Sequence, residues 1–339
     1  MSAGAGIRLL LRWVTILPIT FLGLIAVTFV IGRIMPIDPV ILIVGQDASK
    51  EAYDRVYREL GLHLPLYEQF LIYIDDVLRG DFGMSISTAQ PVIEDIKRVV
   101  PATLELATIG TVIGTLLGVP MGIVAAARQG TWIDSTIRVV SLIGYSVPVF
   151  WKGLMLLLLF YAVLGWTAGP GRIAVYYDGI VDVRTGLLLV DSLLAGEIEI
   201  FWNAVDHMIL PAVSLGYAAS AYITRMTRSF MLDQLNQEYI TTARVKGLAE
   251  WRVVLFHAFR NTLVQLVTVI ALTYGILLEG SVLTETVFAW PGLGQYLTKA
   301  LFNGDMNAVI GATIVIGAVF VTLNLTSDIL YRMLDPRAQ

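Results

Sequence analysis

The feature that most constrains this chain is a series of apolar runs, each long enough or nearly long enough to cross a lipid bilayer. Trp13–Gly32, Leu106–Ala127, Met208–Thr224, Thr262–Leu278 and Ala308–Ser327 carry no charge, and Val139–Gly165 carries only Lys152. About 20 such residues span the hydrocarbon as a helix. A helix also satisfies its own backbone there, where no water can. The mean hydropathy of +0.74 agrees, so the 339 residues do not read as a set of soluble domains. The expected fold class is an all-α integral membrane protein with six transmembrane helices. The first run is longer than the core of a cleaved signal peptide and has no small-residue cleavage site, so it is expected to stay as the first helix.

Two long stretches between the runs are acidic. Pro36 to Pro101 holds eleven acids and six bases, punctuated by Asp38-Pro39, Gly61, Gly80-Asp81-Phe82-Gly83 and Gln90-Pro91. Short helices are expected there over Glu51–Leu60 and Leu66–Leu78. Gly169 to Asp206 holds six acids and two bases. The alternate segments hold twelve Lys/Arg against nine counted from Pro36 on, and the shorter loops of the acidic side hold only Arg172, Arg184 and Lys299. The positive-inside rule then places both termini and the loop around Glu238 in the cytoplasm.

That loop, residues 231–260, is long, polar and basic. Its core, Glu238–Asn261 (EYITTARVKGLAEWRVVLFHAFRN), begins as a short helix of about 15 Å. Asn236 is expected to cap its start, with Glu238 at the positive end of the dipole. Arg244 and Lys246 stand at the other end, and Gly247 stops it. A long ordered loop of this kind usually has a function.

Catalytic chemistry is poorly supported. There is no cysteine, and His63, His207 and His257 are far apart. No GxxxxGK[ST] loop and no HExxH occur. No catalytic residues, metal site or cofactor of the chain's own are expected. Ionisable groups inside the apolar runs are costly and therefore candidates for function. Lys152 and Glu279 are the candidates for a translocation path, although a lysine can equally snorkel or pair structurally. Glu105 and Glu285 read as helix-terminus residues. Gly114, Gly118 and Pro120 read as packing and kink positions.

The motifs, taken in order, resemble those of one family. Pro36-Ile37-Asp38-Pro39, Arg79–Gly83, Pro101–Ala107, Gly144–Trp151, His207–Pro211, Arg225–Ser229, Thr284–Gly294 and Leu334–Arg337 accompany the Glu238 stretch, which is similar to the "EAA" loop of ATP-binding-cassette importers. The chain is identified as resembling membrane subunits of the dipeptide, oligopeptide and nickel permease family, most of all the first membrane subunit of dipeptide permeases. The resemblance implies the type I importer permease fold in a bacterial inner membrane. It implies a homologous second permease subunit, two ATPases that bind ATP and Mg, and a periplasmic substrate-binding protein as partners, with no nucleic acid. It also implies that Tyr239, Ala243 and Gly247, flanked by Glu238, Arg244 and Lys246, contact an ATPase. Lys152 and Glu279 depart from the residues usual at those positions in dipeptide relatives. Import of dipeptides or short peptides is the expected function. Other cargo for the same machine (oligopeptide, antimicrobial peptide, glutathione, nickel chelate, polyamine) and a stand-alone secondary transporter are the rivals, although no internal repeat supports the last. The expected organisation is 1–35 (first helix), 36–100 (periplasmic subdomain), 101–334 (five-helix core) and 335–339 (tail).

Overall fold

Glycines at every fourth position set a close helix contact in the structure, a computed structural model describing residues 18–32, 38–45 and 47–334. Gly110, Gly114, Gly118 and Gly122 line one face of a 36-residue helix, α5 (Val92–Ala127). They meet a 38-residue helix, α9 (Ile198–Leu235). A Cβ added at Gly114 would lie 2.5 Å from that of Ala219, and one at Gly122 would lie 2.5 Å from that of Thr227. Between membrane helices, where lipid is as apolar as leucine, such close backbone approach is what holds a pair together.

The described residues of the chain form two compact units, Met1–Val100 with Tyr296–Val321 and Pro101–Gln295 with Thr322–Gln339. The sequence reading had kept 296–321 with the core. In the first unit, α1 (Pro18–Gly32), α2 (Pro39–Val44), α3 (Lys50–Glu59) and α4 (Leu66–Arg79) precede the start of α5. Val92 and Ile96 pack on Ala300, Ala308 and Val309 from α13 (Leu293–Asn303) and α14 (Met306–Leu334). Asp305, fully buried, accepts from the Ser85 hydroxyl at 2.6 Å and the Ser87 N–H at 3.0 Å.

In the second unit α9 is central. It packs against α6 (Trp132–Ser146), α7 (Val149–Leu156), α8 (Leu188–Ala195) and α12 (Arg260–Val287). Ala212, Leu215, Ala219 and Ile223 of α9 join Leu106 of α5 and Leu266 of α12 in the main core. Two π-helical segments interrupt the helices, Leu157–Val163 after α7 and Val253–Phe259 between α11 (Glu250–Arg252) and α12.

Among the described residues, three helices are long and apolar enough to cross a membrane: Val92–Ala127, Glu250–Val287 and Met306–Leu323. A fourth span exists if the bent pair Trp132–Ser146 and Val149–Val163 counts as one. α1 is apolar but shorter. α9 is long enough but too rich in small and polar residues to qualify by composition. Enclosed by its neighbours, it has no need of a lipid-like surface. α5 starts at Val92, well before the expected Leu106, so Glu105 lies inside a helix rather than at its terminus. Pro101 is accommodated within it. The expected sites at Pro36-Ile37 and in the tail lie outside the described residues.

Candidate functional site

The loop singled out from the sequence folds as α10 (Glu238–Val245), eight residues and about 12 Å long. Asn236 does not cap it: it ends α9, its N–H donating to the Leu232 carbonyl. Gln237 takes the cap position with an extended backbone, and its side chain turns back to the Asp233 carbonyl instead of the helix. Only two residues separate the helices, so both end and start are satisfied by backbone geometry. At the far end Gly247 adopts φ +79°. Its N–H donates to the Arg244 carbonyl at 2.9 Å and that of Leu248 to Ala243 at 3.3 Å, the paired bonds of a Schellman stop.

One face of α10 is sealed by the protein itself. Ile240 and Ala243 (6% exposed) pack with Met231, Val253, Val254 and Ala258, and with Ala126 at the end of α5. Tyr239 straps the helix down: its hydroxyl donates to Gln234 Oε1 at 2.8 Å and accepts from Asn261 Nδ2 at 3.0 Å. Arg244 holds Glu250 through two bonds, at 3.1 and 2.7 Å. The opposite face carries Glu238, Thr241, Thr242 and Val245, followed by exposed Lys246 and Gly247. Of the six residues expected there, Ala243 is turned inward and seats the helix. Sequence reasoning missed Val245, an apolar side chain left 84% exposed. Its spacing, three and four residues after Thr242 and Thr241 and opposite Ile240 and Ala243, was the available signal.

The charges of the apolar helices have separate surroundings. Lys152 is 9% exposed, and its ammonium donates to the Gly144 carbonyl at 2.7 Å, 5.2 Å from the Tyr217 ring centroid. Pro148, which lacks an N–H, deprives that carbonyl of its i+4 donor. The lysine supplies one across a 99° bend between α6 and α7. Glu279 points outward from α12 beside exposed Leu272, Ile276 and Leu283, with no hydrogen bond or ion pair found to it among the described residues. The two do not meet.

Glu285, six residues on, is completely buried. It accepts from the Thr103 and Ser281 hydroxyls at 2.7 and 2.9 Å and from the Gly294 and Gln295 N–H groups at 2.7 and 3.1 Å. Thr103 in turn accepts from the Leu293 N–H at 2.8 Å. A Cβ at Gly292 would fall 2.5 Å from this carboxylate, which explains the glycine. Trp290, also fully buried, donates to the Ala102 carbonyl at 2.9 Å. Glu105 binds Arg172 at 2.5 Å and the Leu189 N–H at 2.8 Å. The Pro101–Ala107 and Thr284–Gly294 motifs thus converge with Arg172 on one polar junction. In α8 Asp191 is buried, which raises its carboxyl, but four bonds from Thr185, Gly186 and Arg184 leave it below the usual carboxylate range.

Among the described residues the chain is a helical membrane protein with apolar spans and a short, self-seated polar helix, α10, before α12. Residues 118–339 match the family model described as binding-protein-dependent transport system inner membrane component, and residues 6–107 match the N-terminal model of such membrane components. The chain is 42% identical over 315 residues to the probable D,D-dipeptide transport system permease protein of Escherichia coli, covering 93% of this chain and 92% of that one. It is 40% identical to the E. coli dipeptide transport system permease over 98% of both chains. It is also 40% identical to the di/tripeptide permease of Pseudomonas aeruginosa over 94% of both. Among solved structures it resembles the inward-facing MetNI methionine ABC transporter, with a TM-score of 0.53 at 17% identity over 71% of this chain and 96% of that one. The chain belongs to the binding-protein-dependent transport system inner membrane component family, the membrane subunits of ATP-binding-cassette importers.

Proposed function

We propose that this chain is one of two permease subunits through which an ATP-driven importer moves dipeptides or short peptides into the cytoplasm. The cargo is inferred from the relatives' names. The mechanism is inferred from α10, a rigid helix with a sealed inner face and an outer face free for a partner. In this reading Glu238, Thr241, Thr242, Val245 and Lys246 enter a groove on one of two ATPases. Arg244, Tyr239, Ala243 and Gly247 hold the helix in the pose that enters it. ATP and Mg belong to those partners. Closure of the ATPases pulls on α10. Its core contacts with Met231, Val253 and Ala126 carry the pull to α9, the π-segment before α12, and α5. A homologous second permease subunit completes the path, Glu279 and Lys152 belong to its walls, and a periplasmic binding protein delivers the cargo. Six crossings, cytoplasmic termini and a periplasmic subdomain over 36–100 complete the reading.

V245E tests the coupling, because it places a charge on the outer face without touching the core. Membrane insertion and thermal stability are expected to stay unchanged while co-purification with the ATPases and ATP-dependent uptake are lost. Uptake at the unaltered rate sinks the assignment. A243R, in contrast, should unseat the helix and lower stability. The cargo is checked by identifying the ligand carried by the binding protein, where anything other than a peptide overturns it.

A further inference from the structure

The backbone between α10 and α12 is not a regular helix. Val253–Phe259 is π-helical, with bonds closed five residues apart instead of four over seven residues. Such segments are rare, and inside α-helices they are frequent at functional sites. Side chains complete its carbonyls. The Asn261 amide donates to the His257 carbonyl at 3.1 Å, the carbonyl that its own backbone N–H would reach in an α-helix. The Thr262 hydroxyl donates to the Phe259 carbonyl at 2.7 Å.

Asn261 uses both protons of its amide. The second goes to the Tyr239 hydroxyl of α10 at 3.0 Å, and that hydroxyl donates its own proton to Gln234 at the end of α9. The Tyr239 oxygen also lies 3.4 Å from the His257 carbonyl. One exposed side chain therefore ties α9, α10, the π segment and α12 at a single point. On the buried side of the same segment, Val253, Val254 and Ala258 pack on Ile240 and Ala243 of α10. Packing holds the face of α10 to the π segment, and one amide holds α10 to its end.

α12 cannot turn as one body, because its far end is fixed at Glu285 by four hydrogen bonds. A π turn can migrate without moving either end. Each residue that it passes is turned by about 100° and shifted by about 1.5 Å.

We propose that Asn261 is a positioning residue, a latch that keeps the π turn beside α10 until that helix is pulled. When Tyr239 is drawn away, the Asn261 amide loses one of its two acceptors. The His257 carbonyl then takes the backbone N–H of Asn261, the π turn passes into the first turn of α12, and Thr262 rotates out of the core. The proposal rests on the reading of α10 as the contact with the ATPases and adds the route by which its motion enters α12.

Thr262 is fully buried and the chain has no cysteine, so T262C is the only thiol of this subunit and reports that rotation. The measurement is maleimide labelling in the purified complete importer, with the thiols of the other subunits replaced. Trapping the ATPases with ATP and vanadate should speed labelling several-fold. Adding N261L, which keeps the volume and removes the amide, should make labelling fast without nucleotide. N261D can accept from Tyr239 but cannot donate to the His257 carbonyl, and should behave like N261L. N261Q should restore part of the nucleotide dependence. With native Thr262, N261L should still co-purify with the ATPases and hydrolyse ATP, while the peptide imported per ATP falls several-fold. Parent-like uptake by N261L, or T262C labelling that nucleotide leaves unchanged while uptake remains ATP-dependent, overturns the latch. Uptake by the parent importer that does not depend on ATP removes the coupling reading itself, which is a separate result.

Discussion

Two glutamates on α12, six residues apart, show opposite uses of a charge within an apolar helix. Glu285 is fully buried and has a donor for each side of its carboxylate: two hydroxyls on one oxygen and two backbone N–H groups on the other. Glu279 has no hydrogen bond or ion pair among the described residues and is exposed among leucine and isoleucine side chains. The first is the hub of a junction joining the end of α12 to α5 and to the start of α13. The second is fully available to something outside this chain. Burial alone would suggest that the deeper charge is the functional one. Satisfaction of its lone pairs argues the reverse, because a carboxylate saturated by its own protein has nothing left to offer a cargo.

The comparison can be broken most forcefully at Glu285. E285A leaves two hydroxyls and two N–H groups buried without their acceptor, and opens space beside Gly292. A loss on the order of 3–5 kcal/mol is expected. The measurement is the yield and thermal midpoint of the detergent-solubilised importer. A midpoint equal to that of the parent would show that the junction holds without its carboxylate.

A smaller effect is expected at Lys152, which lies between the two cases: buried, but with one hydrogen-bonding partner. K152M keeps the volume and leaves the Gly144 carbonyl without a donor at the α6–α7 bend. About 1–3 kcal/mol should be lost. If stability is unchanged while uptake falls, the lysine acts on the path rather than on the bend.

At Glu279 the expected stability change is the smallest, within about 0.5 kcal/mol for an exposed group. E279Q should instead slow uptake several-fold if the carboxylate lies on the path. Full uptake by E279Q removes it from the path and leaves contact with another subunit as its use.

How much of this was legible in the chain differs by level. The helices α3 and α4 lie within one or two residues of their expected bounds, because turn residues and caps are local signals. Gly114 and Gly118 act as packing residues, as their small size within an apolar run suggested. Extending the pattern to Gly110 and Gly122 needed only the four-residue period. The stop at Gly247 was readable because only a left-handed residue closes a Schellman motif comfortably. The cap at Asn236 was misread, because α9 runs on to Leu235 and takes that residue for its own end. Whether Ala243 faces in or out also escaped the sequence. An alanine suits either a tight contact with a partner or a seat in the chain's own core.

The sequence by itself determined that the chain crosses a membrane, that it belongs with permease subunits, and where a short polar helix interrupts the apolar runs. The first and third rest on composition, length and local backbone preference, which the residues carry with them, and the second on the resemblance of the ordered motifs to a known family. Only the tertiary structure decided which charges are spent and which are free. Arg228 and Arg225 are the same residue type three positions apart on α9. One is neutralised by Asp134, and the other lies against the Tyr145 and Tyr222 rings with no carboxylate partner among the described residues. Nothing in the order of residues records that difference, because it depends on which side chain another helix brings within hydrogen-bonding distance.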